Sequence, residues 1–501
     1  MAVLGTGTLL SACSRSQIEA ANVIRMGVSS RVRMLDPRKA TDALSSRVNR
    51  LIYRSLIDFD SQFLPMPDLA SWQTLSSTHY RFTLLEQPEF HHGKRLDASD
   101  VIATYQSVLN PDFGSAHRAS FKGIERFEQI SETQFDVFLK APDALFIGRL
   151  NLGILPKDLI DSAHPFHTQP IGCGACEFVA LSEQKLTLKR RVDSVNLAFI
   201  VVKDPTVRLL KLMNQEIDLL QNDLSPELAA YGAKQSGLKV EWFNGTNYGY
   251  IGFNFEDALL SQKAMRLALA HGINRQAVVD GLFAGQARLA TGLLVPEHWA
   301  GTDALMQYEY DPQKAAGYFA QVKVPDELWQ VDADGQRYIE LTYKTSNDPT
   351  RIRLATIYQS QLKPLGIHLK IQSYDWGTFY NDIKAGRFQL YSLAWVGVKS
   401  PDIFQYVFAS SAMPPNGANR GRFIDSKVDQ LIDLAVQQTT LEEQAQSYRA
   451  LQMRLHQELA LMPLWFEAQY AVMQENIFGF QMFTDGRYDG LLTAKKAVKP
   501  L

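Results

Sequence analysis

Alternating and helical hydrophobic patterns divide the first third of the chain into short strands and helices. Residues Val23–Ser29 alternate between apolar and polar positions, which predicts a strand, and Ser45–Leu56 carries apolar residues at helical spacing. Residues Tyr80–Leu85 and Phe135–Leu139 again alternate as strands. The chain therefore mixes strands and helices from its first elements onward.

The segment between the last two of these strands predicts a further helix. Asp97, followed three residues later by Asp100, forms a weak capping-box signal that marks the helix start. The apolar positions that recur at helical spacing are Val101, Ile102, Tyr105, Val108 and Leu109.

Two strand–helix–strand units predict an α/β fold. The first spans Phe199–Leu220, and the second spans Ile339–Ile371, with a helix that ends at Gly366. A helix that connects neighbouring strands in this way requires a parallel sheet covered by helices. We therefore expect one α/β lobe around each unit.

Two chain crossings are expected to join these lobes. Tyr248–Phe255 predicts a strand that runs from one lobe to the other, and Leu464–Phe478 predicts a segment that crosses back. Two crossings form a hinge, and a cleft between hinged lobes is a common place for a small ligand, which closure then buries. The predicted divisions are a leader and linker at 1–21, lobe I at 22–45, 168–250 and 475–501, an extra subdomain of lobe I at 46–167, and lobe II at 251–474.

Composition and charge exclude several classes of function. The chain has 501 residues, of which 46% are hydrophobic and 21% are charged, as in ordinary globular proteins. Its 51 basic and 53 acidic residues give a formal net charge of -2, so the charge balance indicates neither a nucleic-acid partner nor an anionic membrane surface. After the first positions, no apolar run of about 18 residues predicts a membrane-spanning helix.

The N-terminal segment points to export. Residues Met1–Ala12 are small and apolar, and Leu10–Cys13 resembles the cleavage box of a bacterial lipoprotein, so Cys13 is the expected lipid attachment site. A secretory signal also has a basic segment, which is absent here, so an ordinary N-terminus is the alternative. If Cys13 carries lipid, everything from Ser14 onward is extracytoplasmic, in the periplasm or cell envelope.

Cys173 and Cys176 form a C-x-x-C motif. In an exported protein, such a pair predicts a disulfide. Redox or metal chemistry is the alternative, but a thioredoxin-like site needs the pair at the start of a helix, whereas the residues that follow here predict a strand. We therefore expect a disulfide and no metal.

Several motifs, in a fixed order along the chain, carry a resemblance to one family. The strongest is FHHGKRLDASDV at 90–101; the others are LDPRKATD, PIGCGA, YIGFNF, YDP and QLKPLGIHLKI. Together they resemble the large solute-binding proteins of the peptide/nickel/opine class of ABC importers, family 5, which include the oligopeptide- and dipeptide-binding proteins. The resemblance runs from about Val23 to Phe478.

This resemblance implies a fold and a function. The expected fold is the α/β, two-lobed periplasmic-binding-protein fold of type II, from the large cluster that has an extra subdomain. The expected function is a non-enzymatic receptor that captures a peptide or peptide-like ligand between its lobes and delivers it to the permease subunits of an ABC importer. It implies a monomer without a cofactor, held at the membrane by its lipid alone.

The resemblance also implies where the ligand is gripped. In peptide-binding relatives, an Asp three residues after a Trp holds the amino group of the ligand; the matching loop here runs from Trp395 through Gly397, and Val398 occupies the Asp position. An ammonium without a carboxylate partner is costly in a closed cleft, which disfavours a peptide with a free N-terminus. Either Asp402 replaces the missing carboxylate, or Lys399 selects a ligand with a carboxylate or a blocked amine; a solvated loop charge is the alternative for Lys399.

Other candidate contacts follow from the same resemblance. Trp376 and Trp395 match positions that line the pocket in the family, and an indole offers both apolar area and an N–H donor. Tyr248 and Tyr250 lie on the predicted crossing strand, where core packing is the alternative. Ala43 and Leu44 match a segment that pairs with the backbone of the ligand, with the same alternative.

The sequence gives little support for an enzyme or a metal-binding protein. No nucleophile elbow, P-loop, zinc-binding helix or serine–lysine motif is present, so we expect no catalytic residues. His91 and His92 are adjacent on a turn without a third ligand nearby, which favours a structural turn over a metal site. A receptor for a metal chelate, haem, an opine or a blocked or anionic compound, and a ligand-sensing lipoprotein, remain the alternatives.

Overall fold

The computed structural model describes residues 22–497, which form two compact units. Unit 1 contains the described residues up to Asp60, then Leu64–Phe243 and the described residues from Gln469. Unit 2 contains Ser61–Phe63 and Asn244–Ala468. The predicted leader and its Cys13 lie outside the described residues.

Strands occur throughout the described chain. In chain order they are β1 Val23–Val28, β2 Ile57–Phe59, β3 Pro65–Pro67, β4 Ala70–Ser76, β5 His79–Leu84, β6 Ile124–Gln129, β7 Gln134–Leu139, β8 Cys176–Leu181, β9 Lys185–Arg190, β10 Asn196–Val201, β11 Leu219–Gln221, β12 Leu238–Phe253, β13 Ala287–Leu289, β14 Trp329–Val331, β15 Arg337–Ser346, β16 Ile367–Tyr374, β17 Leu390–Trp395, β18 Met462–Gln474, β19 Ile477–Phe478 and β20 Lys495–Lys496.

Helices alternate with these strands. In chain order they are α1 Ala43–Ile52, α2 Ala98–Leu109, α3 Arg118–Phe121, α4 Lys157–Asp161, α5 Pro205–Met213, α6 Pro226–Gly232, α7 Lys263–Gly272, α8 Arg275–Leu282, α9 Pro312–Phe319, α10 Pro349–Leu362, α11 Trp376–Ala385, α12 Ile403–Phe408, α13 Ser426–Gln437 and α14 Leu441–Glu458. None of them, within residues 22–497, has the length and hydropathy needed to cross a bilayer.

The main sheet of unit 1 is built around β1. This strand pairs in parallel with β10 on one side and β11 on the other, and β10, β9 and β8 continue as antiparallel neighbours. Helix α5 connects β10 to β11, which is the parallel crossover that the sequence predicts. Pro205 occupies the first turn of α5 and Asp204 caps it by accepting from the N–H of Val207 at 2.8 Å.

A second sheet in unit 1 contributes side chains to a separate hydrophobic cluster. Strands β4, β5, β7 and β6 are antiparallel in that order, and the cluster includes Phe82, Val101, Tyr105 and Phe135. The capping box predicted for α2 is present: Asp97 accepts from the Asp100 N–H, and Asp100 Oδ2 accepts from the Asp97 N–H at 2.9 Å. Such a cap contributes about 1 kcal/mol to stability.

The turn at His91 ties two of the sequence motifs together. The N–H of His91 donates to the carbonyl of Gly172 at 2.8 Å, and its Nδ1 accepts from the N–H of the same glycine at 3.3 Å. Its Nε2 lies 3.2 Å from the carbonyl oxygen of Gly174. His91 therefore joins the FHHG turn to the PIGCGA turn by hydrogen bonds, and no group of His, Cys, Asp and Glu within residues 22–497 could hold a metal ion.

The predicted disulfide between Cys173 and Cys176 is not formed; both are free thiols. Cys173 packs in the cluster that contains Phe90 and Leu96, whereas Cys176 begins β8 and packs in the cluster around β1. Burial raises the pKa of the Cys173 thiol to about 11 and that of Cys176 to about 12. The prediction fails because the two side chains belong to different hydrophobic clusters.

Unit 2 has a mixed sheet. Strand β15 pairs in parallel with β16 and with β17, and β17 pairs antiparallel with the part of β12 that lies in this unit. Helix α10 connects β15 to β16, and after a short 3-10 turn the chain reverses at Gly366, whose φ of +75° is a left-handed conformation that favours glycine. The hydrophobic cluster of unit 2 contains Leu341, Tyr358, Leu369 and Trp465.

Apart from the short segment Ser61–Phe63, the chain passes from one unit to the other within two long strands. The division falls between Phe243 and Asn244 in β12 and between Ala468 and Gln469 in β18. Both positions lie a few residues before the predicted divisions after 250 and 474. The hydrophobic pattern locates the strands, whereas the division depends on which residues from the rest of the chain surround each part of the strand.

Candidate ligand-binding site

The pairing of β12 with β17 places several aromatic side chains of unit 2 together. Tyr248 lies opposite Trp395, and Tyr250 lies opposite Leu393. Because residues two apart in a strand share one face, the rings of Tyr248 and Tyr250 stack, with centroids 5.8 Å apart and planes 16° apart. Both tyrosines are buried.

A glycine on β12 makes room for a third tyrosine. Gly252 is directly opposite Tyr391, and a Cβ at this glycine would lie only 2.2 Å from the Tyr391 ring. The ring therefore lies over the strand, and it meets the Tyr250 ring edge-on with centroids 5.9 Å apart. Any larger residue at position 252 would displace this ring.

Arg420 inserts its guanidinium among these rings. Its Nη1 donates to the Tyr250 hydroxyl at 3.0 Å and its Nη2 donates to the Tyr380 hydroxyl at 3.2 Å. The guanidinium carbon lies 4.9 Å from the centroid of a Trp395 ring, which is cation–π distance. Arg420 is only 7% exposed, and it forms no ion pair with a carboxylate within residues 22–497.

The surroundings of Arg420 leave its charge without an opposite charge. Burial acts to lower the pKa of Arg420, but the nearby Tyr250, Tyr391 and Tyr380 outweigh burial, and the pKa lies above its ordinary value. Burial raises the pKa of both Tyr250 and Tyr391, so these phenols stay neutral. The group is thus a buried cation held by neutral acceptors.

Helix α11 supplies an aromatic surface beside this cation. Asp375 caps the helix by accepting from the Thr378 N–H at 3.1 Å, and Trp376 follows as its first residue. The side chains of Trp376 and Tyr380, one helical turn apart, stack with centroids 5.5 Å apart and planes 10° apart. Trp376 is 58% exposed and Tyr380 is half-buried, so the pair leads from solvent towards Arg420.

The side chain of His298 forms a hydrogen bond to the loop that follows Trp395. The neutral ring accepts from the Ala300 N–H at Nδ1 and donates from Nε2 to the Lys399 carbonyl at 3.1 Å. Burial lowers the pKa of His298 to about 4, so the ring stays neutral at neutral pH. Gly397 turns the loop with a φ of +67°.

The predicted residues of this loop differ in their surroundings. Val398 and Lys399 are half-buried in the loop, and Asp402 is the residue before α12, where its side chain makes no capping bond to the helix. The Nε1 of Trp395 is buried and has no hydrogen-bond partner among residues 22–497. The roles of Val398, Lys399 and Asp402 in binding stay predictions.

Ala43 and Leu44 belong to the other unit. They form the first turn of α1, where Asp42 caps the helix by accepting from the Ser45 N–H at 2.9 Å. Ala43 is exposed, and Leu44 packs partly against the hydrophobic cluster around β1. In the first turn of a helix, the backbone groups left for a partner are N–H groups. Pairing of Ala43 and Leu44 with a ligand backbone stays a prediction, and in this conformation they could act only as donors.

The structure thus brings together Tyr248, Tyr250, Trp376 and Trp395 from the predicted set, and adds residues that the sequence did not indicate. Arg420 lies in the glycine- and asparagine-rich segment NGANRGRFID, which is typical of a solvated loop. Tyr380 lies on the helix that begins at Trp376. The two residues are four positions apart, which places them on one helix face, and this spacing could have identified Tyr380 from the sequence. Nothing in the local sequence distinguishes Arg420.

Comparisons with known proteins place the chain in a family. A profile of the "Bacterial extracellular solute-binding proteins, family 5 Middle" matches residues 65–414. The probable di/tripeptide-binding protein 5 of Pseudomonas aeruginosa is 25% identical and covers 96% of this chain and 94% of that protein. The heme-binding protein A of Haemophilus influenzae is 24% identical and covers 86% of this chain and 84% of that protein.

A solved structure shows the same fold. The ABC transporter substrate binding protein CtaP of Listeria monocytogenes aligns with a TM-score of 0.85 at 20% identity, over 95% of this chain and 99% of that chain. The predicted α/β, two-lobed periplasmic-binding-protein fold is confirmed by this likeness. Because the family profile matches well over half of its length, the chain belongs to the bacterial extracellular solute-binding proteins, family 5.

Proposed function

We propose that this protein is an extracytoplasmic receptor that captures a peptide or peptide-like ligand and passes it to the permease subunits of an ABC importer. The observation that carries the proposal is the match along nearly the whole chain to a di/tripeptide-binding protein, together with the family profile. The relatives are binding proteins, and the aromatic cluster of unit 2 offers apolar surface and hydrogen-bond donors. It acts by binding and release, without catalysis.

Native mass spectrometry of the purified protein tests this function. The intact protein is weighed first, and denaturation then releases any small molecule that purified with it. We expect a set of short peptides, because a site that pairs with ligand backbone tolerates many side chains. A protein that carries no small molecule and also binds none from a pool of synthetic peptides would contradict the proposal.

A receptor for a non-peptide ligand is the second candidate. Val398 favours it, because the resemblance implies an aspartate for the ligand ammonium at this position and a valine cannot neutralise a cation. The heme-binding relative from Haemophilus influenzae shows that the similarity does not separate the ligand classes. A single non-peptide mass released on denaturation would favour this candidate over a peptide receptor.

We also propose that a lipid on Cys13 holds the receptor at the cell envelope. The support is the lipoprotein-like sequence of Leu10–Cys13, which lies outside the described residues. Expression of the full chain in a bacterial host should give a membrane-associated protein, and Cys13→Ser should move it to the soluble fraction. Equal membrane association of both proteins would contradict lipid attachment at this residue.

A further inference from the structure

Arg420 is a buried cation whose hydrogen-bond partners in its own unit are neutral phenols. Its guanidinium donates to the phenols of Tyr250 and Tyr380, the Tyr391 phenol is a further partner, and no carboxylate within residues 22–497 forms an ion pair with it. A buried charge is normally paired with an opposite charge, because desolvation of an unpaired ion is costly. Within residues 22–497, the positive charge of Arg420 is not paired with a carboxylate.

A second donor lies beside Arg420. The indole Nε1 of Trp395 is buried without a hydrogen-bond partner in the described part of the chain, and the guanidinium carbon of Arg420 lies 4.9 Å from the centroid of a ring of the same indole. A native protein rarely leaves such a buried donor unsatisfied unless a water, ion or ligand completes it. Two adjacent groups therefore present donors, and neither presents an acceptor.

The charges around the cluster do not supply the missing anion. Asp382 is on the same helix as Tyr380, but it is already paired with Lys344 at 2.6 Å and with Arg387 at 2.6 Å. The ammonium of Lys384 lies 5.2 Å from the centroid of the Tyr380 ring and adds positive charge. The carboxylate of Asp382 is therefore already paired, and Val398 brings no carboxylate to Arg420.

We infer that Arg420 and Trp395 bind an anionic group of the ligand, and that this group is a carboxylate. The inference rests on the proposed receptor function and names its ligand class: peptides and peptide-like acids whose carboxylate meets unit 2, without a requirement for a free amino group. A guanidinium matches a carboxylate with two parallel hydrogen bonds. The stacked Trp376–Tyr380 pair provides apolar surface for the part of the ligand next to the carboxylate.

A paired peptide library tests this assignment. The full protein, freed of bound ligand by denaturation and refolding, is mixed with a pool of short synthetic peptides in three forms: free acids, the same peptides as C-terminal amides, and N-acetylated free acids. Mass spectrometry identifies the peptides retained, and calorimetry gives the affinity of the best acid and of its amide. The variants are Arg420→Gln and, as the matched control, Arg387→Gln, which removes an exposed arginine from the neighbouring helix–loop segment.

We expect the acid and its N-acetyl form to bind, and the amide to bind about 10- to 100-fold more weakly, which corresponds to the loss of a charge-assisted hydrogen bond. Arg420→Gln should weaken the acid by a similar factor and leave the amide unchanged, while Arg387→Gln binds as the natural protein does. Acid and amide that bind equally well would overturn the carboxylate assignment and leave the receptor function intact. Failure of every peptide form would overturn both.

A structural role for Arg420 predicts a different pattern. If Arg420 only supported the fold, Arg420→Gln would weaken acid and amide by the same factor and would lower the melting temperature. That result would overturn the assignment. Selective loss of acid binding, at an unchanged melting temperature, would support it.

Discussion

Unit 2 buries three arginines, Arg266, Arg275 and Arg420, that form no ion pair within residues 22–497, and the last two have different hydrogen-bond partners. The guanidinium of Arg420 donates to the phenols of Tyr250 and Tyr380, and the Tyr391 phenol is a further partner. Arg275, at the start of α8, is held at 2.7–3.1 Å by four oxygens, those of Ala290, Pro463, Gln307 and Tyr308. Burial lowers the pKa of Arg275 to about 10, whereas the pKa of Arg420 lies above its ordinary value.

The difference separates a structural arginine from one that is available to a ligand. Three of the oxygens around Arg275 are backbone carbonyls. Because a buried carbonyl needs a hydrogen-bond donor, this side chain joins segments of the unit that are distant in sequence. The guanidinium of Arg420 contacts side chains, the phenols of Tyr250 and Tyr380 and the ring of Trp395. Burial alone does not reveal function; the number and kind of acceptors do.

Exchange of each arginine for glutamine is the strongest test of this comparison. Arg275→Gln should lower the free energy of unfolding by about 4 kcal/mol, because several buried carbonyls lose their donor. Arg420→Gln should change it by less than about 1 kcal/mol, since removal of a buried charge without a counter-charge relieves its desolvation cost. Urea unfolding followed by far-ultraviolet circular dichroism measures both. Equal losses would break the comparison and make Arg420 structural.

Acidification tests the loop that follows Trp395. The pKa of His298 falls from an ordinary value of 6.5 to about 4 in the folded protein, so between these pH values the unfolded chain binds the proton more readily. The contribution of His298 to stability is therefore complete above pH 6.5 and falls as the pH drops towards 4, by up to about 3 kcal/mol. His298→Gln should remove this part of the pH dependence.

The control for the histidine is an exposed one. His167→Gln is the matched variant, because it removes an exposed ring and leaves the buried His298 in place. Urea midpoints at several pH values from 7 to 4, about one unit apart, give the comparison. An equally steep acid loss in His298→Gln and in the natural protein would show that other groups cause it.

Replacement of Gly252 tests how tightly the tyrosines around Arg420 are packed. Gly252→Ala places a Cβ 2.2 Å from the nearest atom of the Tyr391 ring, so the ring must move. The free energy of unfolding should therefore fall by about 2 kcal/mol. Gly281→Ala is the matched control, because no atom lies within 4 Å of its Cβ and α8 gains helix propensity of about 1 kcal/mol. Thermal unfolding of both variants measures the contrast, and an unchanged Gly252→Ala would show that the ring has room to shift.

Much of the fold follows from local patterns. Alternation at 339–343 and 367–371 marks β15 and β16, and the helical spacing before Gly366 marks the helix between them. The capping signal at Asp97 and Asp100 is confirmed atom by atom. These elements are predictable because side-chain periodicity and capping depend on residues only a few positions apart.

The site and the cysteines depend on distant parts of the chain. Arg420 meets Tyr250, which is 170 residues away, and Tyr380, which is 40 residues away, so no local pattern reports its burial. The C-x-x-C spacing likewise says nothing about which hydrophobic cluster each cysteine enters. Tertiary packing decides both, and only the family resemblance pointed to Trp376 and Trp395 beforehand.

The two buried cysteines make the protein convenient for site-specific labelling. With a pKa of about 11 or 12, each thiol is ionised to only about one part in ten thousand or less at pH 7, and the thiolate is the reactive form. Maleimide reagents should therefore modify a cysteine newly placed on the surface long before they reach Cys173 or Cys176. Fluorescent or spin probes can then be attached to a chain that starts after Cys13 while both natural cysteines are kept.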